Sequence, residues 1–344
     1  MTSLKSKIYS IRRHPSIMVD ILRAKNWEYI EDKSRKLDEK EVFELTSYLK
    51  RTSPYHITNP NDQSKLNRLC YVEDWKNSEI KEALAELQKL SPEGLIHRKD
   101  WEWALGIIAM RRFGKLNEKS TAIGVGSGTE PVPFYLANKV KHVYATDLYK
   151  VKDWIEAAPS DFPENPKKYT PFPYKEDALT VLRMDGTKLE FPSESFDIAF
   201  SFSSIEHFGG GKNHSGALRS LKEMERVLKP GGLAVITTEY IINDKEHPEF
   251  FNKRTIYSDL IDKLEKLKLV EPLDLRITTK TLDTVIDYSS AVYWDASSSD
   301  DEFKKNHPLV LIRVGNILVT SLLLTLQKRS VQEESCDFIK GLNP

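Results

Sequence analysis

Glycine and carboxylate side chains are spaced through residues 122–149 in a pattern that could hold a nucleotide. The stretch AIGVGSGTEPVPFYLANKVKHVYATDLY places glycines at 124, 126 and 128 after one apolar run and ends a second apolar run on Asp147. A glycine turn that opens a helix lets backbone N–H groups approach a ligand closely. A carboxylate that ends the next strand can accept hydrogen bonds from both hydroxyls of a ribose. The pattern therefore predicts a site for a cofactor that contains a nucleoside.

The spacing of the glycines argues against one such cofactor, a nicotinamide dinucleotide. Its fingerprint, G-x-G-x-x-G, needs a third glycine that is missing here, whether the count starts at Gly124 or at Gly126. Glu130 follows the turn instead, and a carboxylate at a helix start repels a pyrophosphate. Glu130 is interpreted in two ways: as a partner for a cationic or hydroxylated cofactor, or as a charge that stabilises the helix start.

Four motifs in order resemble the class I S-adenosylmethionine-dependent methyltransferases, over about residues 95–328. In that family the first strand typically ends in an acidic residue and then G-x-G-x-G. Gly126 and Gly128 match the first two glycines, whereas Gly124 replaces the acidic residue and Glu130 replaces the third glycine. The other matches are the strand end at Asp147, the segment RMDGTKLEFPSESFD, the segment FDIAFSFSSIEHFGG and the segment LKEMERVLKPGGLAVITT.

The resemblance implies an enzyme that uses S-adenosylmethionine. It implies that Asp147 binds the ribose, that Asp185 accepts from the adenine amino group with the Gly186 backbone facing the ring, and that Glu130 reaches the cofactor's ammonium. The indole of Trp101 would face the sulfonium through cation–π attraction. The full set of predicted cofactor-binding residues is Gly124, Gly126, Gly128, Glu130, Asp147, Leu148, Asp185, Gly186, Ser203 and Trp101.

His207 and Glu206 are the predicted catalytic residues. Methyl transfer from a sulfonium is an in-line displacement, so alignment provides much of the catalysis and a base serves a hydroxyl nucleophile. A histidine can take a proton near neutral pH, and Glu206 beside it could orient it. The structural alternative is a histidine that holds its turn through backbone hydrogen bonds. Glu239, Tyr240 and His214 are predicted to contact the substrate, and no residue is predicted to bind a metal.

The predicted acceptor is a small or medium-sized molecule. The fourth strand is followed by neither an Asp/Asn-Pro-Pro-Tyr motif nor a Pro-Cys pair, and the 51 basic residues balance the 51 acidic ones. Nucleic acid is therefore an unfavoured acceptor. The leading hypothesis is O-methylation of a saccharide or a biosynthetic intermediate. N-methylation of an amino sugar and a non-catalytic module that binds S-adenosylmethionine remain as alternatives.

Short apolar runs alternating with helical segments from residue 100 onward predict a doubly wound α/β fold. Together with the resemblance, they predict a mostly parallel, seven-stranded Rossmann-like sheet with an antiparallel last strand. The predicted organisation is a helical N-terminal extension over 1–95, the methyltransferase domain over 96–328 and a tail over 329–344.

Local patterns predict individual elements. Five apolar runs predict strands, namely STAIGV, HVYATD, LTVLRMD, FDIAFSFS and LAVITT. Apolar residues three and four apart predict helices in EVFELTSYLKR, in SEIKEALAELQKL with Ser78 as the N-cap, and in YSDLIDKLEKLKL over 257–269. A helix is also predicted in HRKDWEWALGIIAMRRF, which the resemblance places near the cofactor, and an exposed loop is predicted over 295–306.

The composition predicts a cytoplasmic protein. The two cysteines, Cys70 and Cys336, are far apart and show no metal-binding or disulfide spacing. The apolar segment LVLIRVGNILVTSLLLTL, residues 309–326, contains Arg313 and a turn signal, so two buried strands are favoured over a membrane-spanning helix. The sequence leaves the oligomeric state open.

Overall fold

The computed structural model describes most of the chain from residue 63 to residue 329. The described ranges are 63–88, 95–149, 159–208, 214–288 and 301–329, with positions 47, 57, 58, 290, 291 and 294 in addition. The predicted helix EVFELTSYLKR and the predicted tail lie outside these ranges, apart from position 47, which is helical.

Five parallel strands form the centre of the main sheet, in the spatial order β4-β3-β2-β5-β6. Their bounds are β2 Thr121–Val125, β3 His142–Asp147, β4 Leu179–Arg183, β5 Phe196–Phe202 and β6 Leu228–Ile241. Each contains one of the five predicted apolar runs. Continuous apolar runs suit strands that are buried on both faces, as parallel strands are.

An antiparallel hairpin completes the sheet and contains the most apolar segment of the chain. β10, Ile312–Val314, turns at Gly315 (φ +58°) into β11, Ile317–Lys328, which pairs antiparallel with β6. This confirms the predicted two strands within 309–326. Within the described ranges, no helix is both long and apolar enough to cross a membrane.

Short strands extend the sheet and form a second, two-stranded sheet. β7, Leu267–Leu269, pairs with β11, and β9, Ile286–Asp287, pairs with β10. β1, Ile57–Thr58, pairs with β8, Ile277–Thr278, in the separate sheet. The mostly parallel sheet with its antiparallel strand β11 confirms the predicted fold class. Among the described residues the main sheet has nine strands rather than the predicted seven, because the short strands β7, β9 and β10 add to the five parallel strands and β11.

Helices cover both faces of the main sheet. The α-helices are α1 Ser78–Glu86, α2 Arg98–Arg112, α3 Pro131–Ala137, α4 Ser215–Val227, α5 Thr279–Leu282 and α6 Asp301–Asn306. Short 3₁₀ turns lie at Val72–Lys76, Pro166–Lys168, Glu176–Ala178, Ile205–His207 and Ile261–Lys263. Apolar side chains of α1, α2 and α3 pack on one face of the sheet and those of α4 on the other, so the fold is doubly wound.

Three local predictions need correction. The N-cap of α1 is Asn77, whose Oδ1 accepts from the Glu79 N–H at 2.8 Å, and Ser78 is the first helical residue. The expected long helix over 257–269 is a π-helical turn, Thr255–Leu260, followed by a 3₁₀ turn, because Leu267–Leu269 instead joins the sheet beside β11. Tertiary pairing overrides the helical periodicity there. The expected loop over 295–306 contains α6.

The carboxyl ends of the central strands lie at one edge of the sheet and carry the predicted site residues. β2 leads into the glycine turn, β3 ends on Asp147, and β5 leads into the 3₁₀ turn Ile205–His207. In an open parallel sheet, ligands bind beyond this edge. The fold therefore gathers residues that are far apart in the sequence at a single edge.

Candidate active site

The glycine turn after β2 is fixed by left-handed backbone and by Asp147. Gly126 and Gly128 have φ values of +65° and +48°, which glycine adopts without the steric cost that a Cβ brings. The N–H of Gly128 donates to Oδ2 of Asp147 at 2.9 Å, and the N–H of Leu148 donates to Oδ1 at 2.6 Å. The Asp147 carboxylate thus ties the turn after β2 to the end of β3.

The position of Asp147 suits the predicted ribose contact. Burial raises the pKa of Asp147, although the N–H groups of Gly128 and Leu148 act in the opposite direction. Each carboxylate oxygen can accept more than one hydrogen bond, so each has capacity beyond its backbone donor. The carboxylate can therefore hold the turn and accept from ligand hydroxyls at the same time.

Leu148, Asp185 and Gly186 are three further predicted cofactor-binding residues. Leu148 is a large apolar side chain that is nevertheless 51% exposed. Asp185 is exposed, and its Oδ1 accepts from the Thr187 N–H and hydroxyl, both at 2.8 Å. A Cβ on Gly186 would lie 2.7 Å from the Phe208 ring, and one on Gly126 would lie 2.8 Å from the same ring. The absence of side chains at the two glycines therefore lets an aromatic ring pack between the loops.

Glu130 is buried beside the glycine turn and does not cap its helix. It is the N-cap residue of α3, but its side chain makes no capping hydrogen bond, and Oε2 is buried without a hydrogen-bond partner among the described residues. Burial raises the pKa of Glu130 to about 8, although the charge of Lys99 opposes the shift. A buried carboxyl oxygen of this kind suits a cationic ligand group.

Gly124 is required by packing. A Cβ there would lie 2.6 Å from the Phe200 ring and 2.9 Å from the Ser127 Cβ. The glycine at position 124 therefore lets β2 lie close to Phe200, and the acidic residue typical of the family does not fit at this position.

We expect Gly124→Asp, which installs that acidic residue, to destabilise the protein. Overpacking a core costs about 1–3 kcal/mol, and burying a carboxylate adds to that cost. Thermal unfolding should show a clear drop in the melting temperature, while Lys119→Asp on the exposed approach to β2 should leave it nearly unchanged. Equal melting temperatures for Gly124→Asp and the wild type would contradict the packing argument.

Trp101 lies differently from the sequence-based expectation, whereas Ser203 lies at the edge of the sheet where the cofactor is expected. Trp101 is fully buried, and its Nε1–H donates to Oδ2 of Asp74 at 2.6 Å, so the indole belongs to the core rather than to a sulfonium site. This placement corrects the cofactor contact expected for Trp101. Ser203 has a φ of +44°, and its hydroxyl donates to Oε2 of Glu102 at 2.8 Å, which leaves its backbone at the carboxyl edge of the sheet.

Glu206, His207 and Glu239 meet at the carboxyl ends of β5 and β6. One ligand-type atom from each of the three lies within 4.8 Å of the others. Oε1 of Glu206 accepts from the Glu239 N–H at 3.1 Å, and Nδ1 of His207 lies 2.6 Å from Oε1 of Glu249. The structure thus brings both predicted catalytic residues to one predicted substrate residue, Glu239.

The ionisation of this cluster is strongly shifted. Burial raises the pKa of Glu206 to about 7, with the charge of His207 opposing it. Removal from water lowers the pKa of His207, but the hydrogen bond with Glu249 and the charges of Glu206 and Glu239 outweigh it and raise that pKa to about 9. Free His207 therefore carries a proton at neutral pH, stabilised by the surrounding carboxylates.

Tyr240 and His214 do not join this cluster. Successive side chains of a strand point to opposite faces, and Tyr240 accordingly lines a cavity of about 330 Å³ with Lys253 and Tyr257, on the other side of β6 from Glu239. His214 lines a different cavity of about 390 Å³ with His247. Tyr240 and His214 therefore lie apart from the Glu206 cluster, and the structure gives no geometric support for the predicted contact of either residue with a substrate bound at that cluster.

Three residues at the site had no signal in the sequence. Glu249 reaches His207 across 42 positions, and Phe208 packs on two loops. Glu102 is fully buried and is paired with Arg98 and Lys99, both at 3.3 Å. Of these, only Glu102 stands in a helix whose proximity to the cofactor the resemblance implied.

The residues present fit S-adenosylmethionine. The turn has glycines where a side chain would not fit, Asp147 offers acceptor capacity, and the buried Glu130 oxygen suits an ammonium. Residues 123–236 also match the family model described as a methyltransferase domain. Residues 123–236 are therefore a methyltransferase domain of the class I S-adenosylmethionine-dependent type. The predicted enzyme class and cofactor are thereby confirmed.

Solved structures similar to this methyltransferase share little sequence with it. Geranyl diphosphate C-methyltransferase from Streptomyces coelicolor A3(2) is 13% identical, with a TM-score of 0.44 over 73% of this chain and 99% of that one. Phosphoethanolamine N-methyltransferase 2 from Haemonchus contortus is 15% identical, with a TM-score of 0.40 over 74% of this chain and 61% of that one. No curated protein sequence matches the chain.

Proposed function

We propose that this methyltransferase methylates a hydroxyl group of a saccharide. The observation that carries the proposal is the cluster of Glu206, His207 and Glu239, which lies at the carboxyl edge of the sheet where an acceptor must meet the cofactor. Carboxylates and an imidazole form hydrogen bonds with hydroxyl groups, and Glu249 adds a further carboxylate beside His207.

The roles of the cofactor-binding residues follow from their positions. Asp147 would hold the ribose hydroxyls, Asp185 the adenine amino group and Leu148 the adenine face, whereas Glu130 would bind the ammonium and Lys99 the carboxylate. S-adenosylmethionine supplies an activated methyl group on a sulfonium. The chain's own task is to align the acceptor oxygen with that methyl and to receive the hydroxyl proton at Glu206, which the charge of His207 keeps partly ionised at neutral pH.

The residues around His207 at the carboxyl edge of the sheet, where the acceptor would bind, are called the acceptor edge. The negative charge of this edge favours a neutral or cationic small molecule as the acceptor. Glu206, Glu239 and Glu249 stand close to His207, and Arg98 is already paired with Glu102 and Glu239. Such an edge repels phosphate groups, which supports a small-molecule acceptor rather than nucleic acid. The same carboxylates would also attract the ammonium of an amino sugar, so N-methylation is the second candidate.

Incubation with methyl-labelled S-adenosylmethionine and matched pairs of neutral and amino sugars tests the proposal. We expect S-adenosylhomocysteine and a labelled methyl ether, identified by mass spectrometry and NMR. A methyl group on nitrogen would replace the proposal with the amino-sugar candidate. Cofactor binding without transfer to any sugar, lipid-linked sugar or nucleotide sugar would favour a binding module without catalysis.

Cofactor binding should release a proton from Glu130. Lys99 and the Trp103 hydrogen bond lower the pKa of Glu130, whereas burial and the charges of Glu102 and Asp147 raise it to about 8. At pH 7 this carboxyl is therefore mostly protonated, and a bound ammonium would ionise it. Calorimetry in buffers of different ionisation enthalpy should show release of about one proton at pH 7 and almost none at pH 9.5.

Glu130→Gln provides the matched control for that measurement. We expect this variant to bind S-adenosylmethionine about tenfold more weakly and with the proton release removed, because a neutral amide replaces the ionisable group. Proton release that persists in Glu130→Gln would assign it to another residue.

A further inference from the structure

We propose that Glu206, Glu239 and His207 form a binding site for one divalent cation. Their ligand-type atoms lie within 4.8 Å of one another at the carboxyl ends of β5 and β6. Oxygen ligands stand about 2.0–2.6 Å from such a cation, so two ligands on opposite sides of it are about 4–5 Å apart. Small side-chain rotations would bring all three atoms into coordination.

Glu206 supplies an independent sign of a ligand. Its side chain is only 2% exposed, and Oε2 is buried without a hydrogen-bond partner among the described residues. Oε1 is held by the Glu239 N–H at 3.1 Å, so the carboxyl plane is fixed with Oε2 left for another group. A buried carboxylate oxygen needs a compensating partner, and a cation between Glu206 and Glu239 would provide it.

His207 has the arrangement typical of a metal-binding histidine. Nδ1 lies 2.6 Å from Oε1 of Glu249, which fixes the orientation of the ring. Metal-binding histidines generally direct one nitrogen to the ion and the other to a carboxylate or carbonyl, which raises the basicity of the ligating nitrogen. Glu249 would therefore be a positioning residue that acts through His207.

The nearby cations are held largely by other groups. Arg98 pairs with Glu102 at 3.3 Å as well as with Glu239, and Lys99 pairs with Glu102 at 3.3 Å. Arg98 therefore contacts one oxygen of the Glu239 carboxylate, and the cation would bind the other oxygen. Glu206 is 2% exposed, and Oε1 of Glu206 accepts from the Glu239 N–H, so its hydrogen bond to the backbone leaves Oε2 for the cation.

The ligand set indicates which cations the site would take. Two carboxylates suit Mg²⁺ and Mn²⁺, and one imidazole shifts the preference towards Mn²⁺. Three protein ligands leave coordination positions for water and for the hydroxyl groups of the acceptor. This inference rests on the proposed function: in the loaded enzyme Glu206, Glu239 and His207 would hold the cation, and the cation would hold the acceptor hydroxyl and increase its acidity. The hydroxyl proton would then pass to a water molecule in an open coordination position instead of to Glu206.

Mn²⁺ binding to the full chain, followed by electron paramagnetic resonance and calorimetry without S-adenosylmethionine, tests the site. We expect one bound ion per chain and at least about a tenfold loss of affinity in Glu206→Gln and in Glu239→Gln. Glu249→Gln should weaken binding by a smaller factor. Glu164→Gln is the matched control, since Glu164 also pairs with an arginine, Arg183, but lies away from the cluster.

Circular dichroism would verify that each variant is folded. Absence of a stoichiometric Mn²⁺ ion in the wild type, or equal affinity in the wild type, Glu206→Gln and Glu239→Gln, would overturn the cation site. Methyl transfer that continues after chelation would likewise remove the cation's role while leaving the proposed function intact. Stoichiometric Mn²⁺ binding without any sugar methylation would support the site and count against the proposed acceptor.

Discussion

Asp147→Ala should weaken S-adenosylmethionine binding by about 100-fold or more. The Asp147 carboxylate holds the Gly128 and Leu148 N–H groups at 2.9 and 2.6 Å and is expected to accept from the ribose. A hydrogen bond to a charged group contributes about 1.5–3 kcal/mol, and each 1.4 kcal/mol corresponds to a factor of ten in affinity. Calorimetric titration of both proteins with the cofactor measures the loss directly.

Asp197→Asn distinguishes cofactor binding from a general loss of structure. Oδ2 of Asp197 accepts from the Thr121 N–H at 2.9 Å, so it also ties a backbone N–H to the sheet, but at the amino ends of β2 and β5. We expect this variant to lose stability while its cofactor affinity stays close to that of the wild type. A cofactor affinity of Asp147→Ala equal to that of the wild type would place the ribose elsewhere.

The central strands and the glycine turn could be predicted because each depends on local residues. Continuous apolar runs mark strands buried on both faces, and the glycines mark a turn that a side chain would block. Asp147 is recognisable because it stands in register with that turn. These features have their cause within a few residues of where they appear in the sequence.

Contacts between residues that are far apart in the sequence could not be predicted from local patterns. Trp101 stands at a helix start near the expected cofactor, yet its direction is set by Asp74, 27 positions earlier. Tyr240 and Glu239 are neighbours in the sequence, but the alternation of β6 sends them to opposite faces of the sheet. The position of a residue next to a recognised motif is therefore weaker evidence for a role in the site than the direction of its side chain in the fold.

Glu249 shows that a contact between distant parts of the sequence can change the pKa of a site residue. From the sequence, His207 is a histidine of ordinary pKa with Glu206 beside it. In the fold, Glu249 comes from the segment after β6 and, together with Glu206 and Glu239, raises the pKa of His207 to about 9. The chemistry of the acceptor edge therefore depends on a group of carboxylates that assembles only when β5 and β6 pair.

His207→Gln should lower the rate of methyl transfer by about 100-fold or more while leaving the cofactor affinity within about twofold. The charge of His207 lowers the pKa of Glu206 and so keeps this proton acceptor partly ionised. A positioned proton acceptor contributes about 10²–10⁴-fold to a rate, and the loss of an imidazole that binds a cation has a comparable effect. The turn itself should persist, because the His207 N–H bonds to the Ser204 carbonyl at 3.0 Å whatever the side chain. Single-turnover measurement with labelled S-adenosylmethionine separates the transfer rate from binding.

His142→Gln is the matched control, since this histidine lies at the amino end of β3, where Nε2 meets the Thr180 hydroxyl at 2.8 Å. Its transfer rate should equal that of the wild type. An undiminished rate in His207→Gln would remove both the proton-transfer role and the ligand role of His207 and would favour an amine acceptor or catalysis by alignment alone. A reduced rate that Mn²⁺ fails to influence would instead favour the role of His207 in proton transfer to Glu206, because a ligand acts only through the ion it binds.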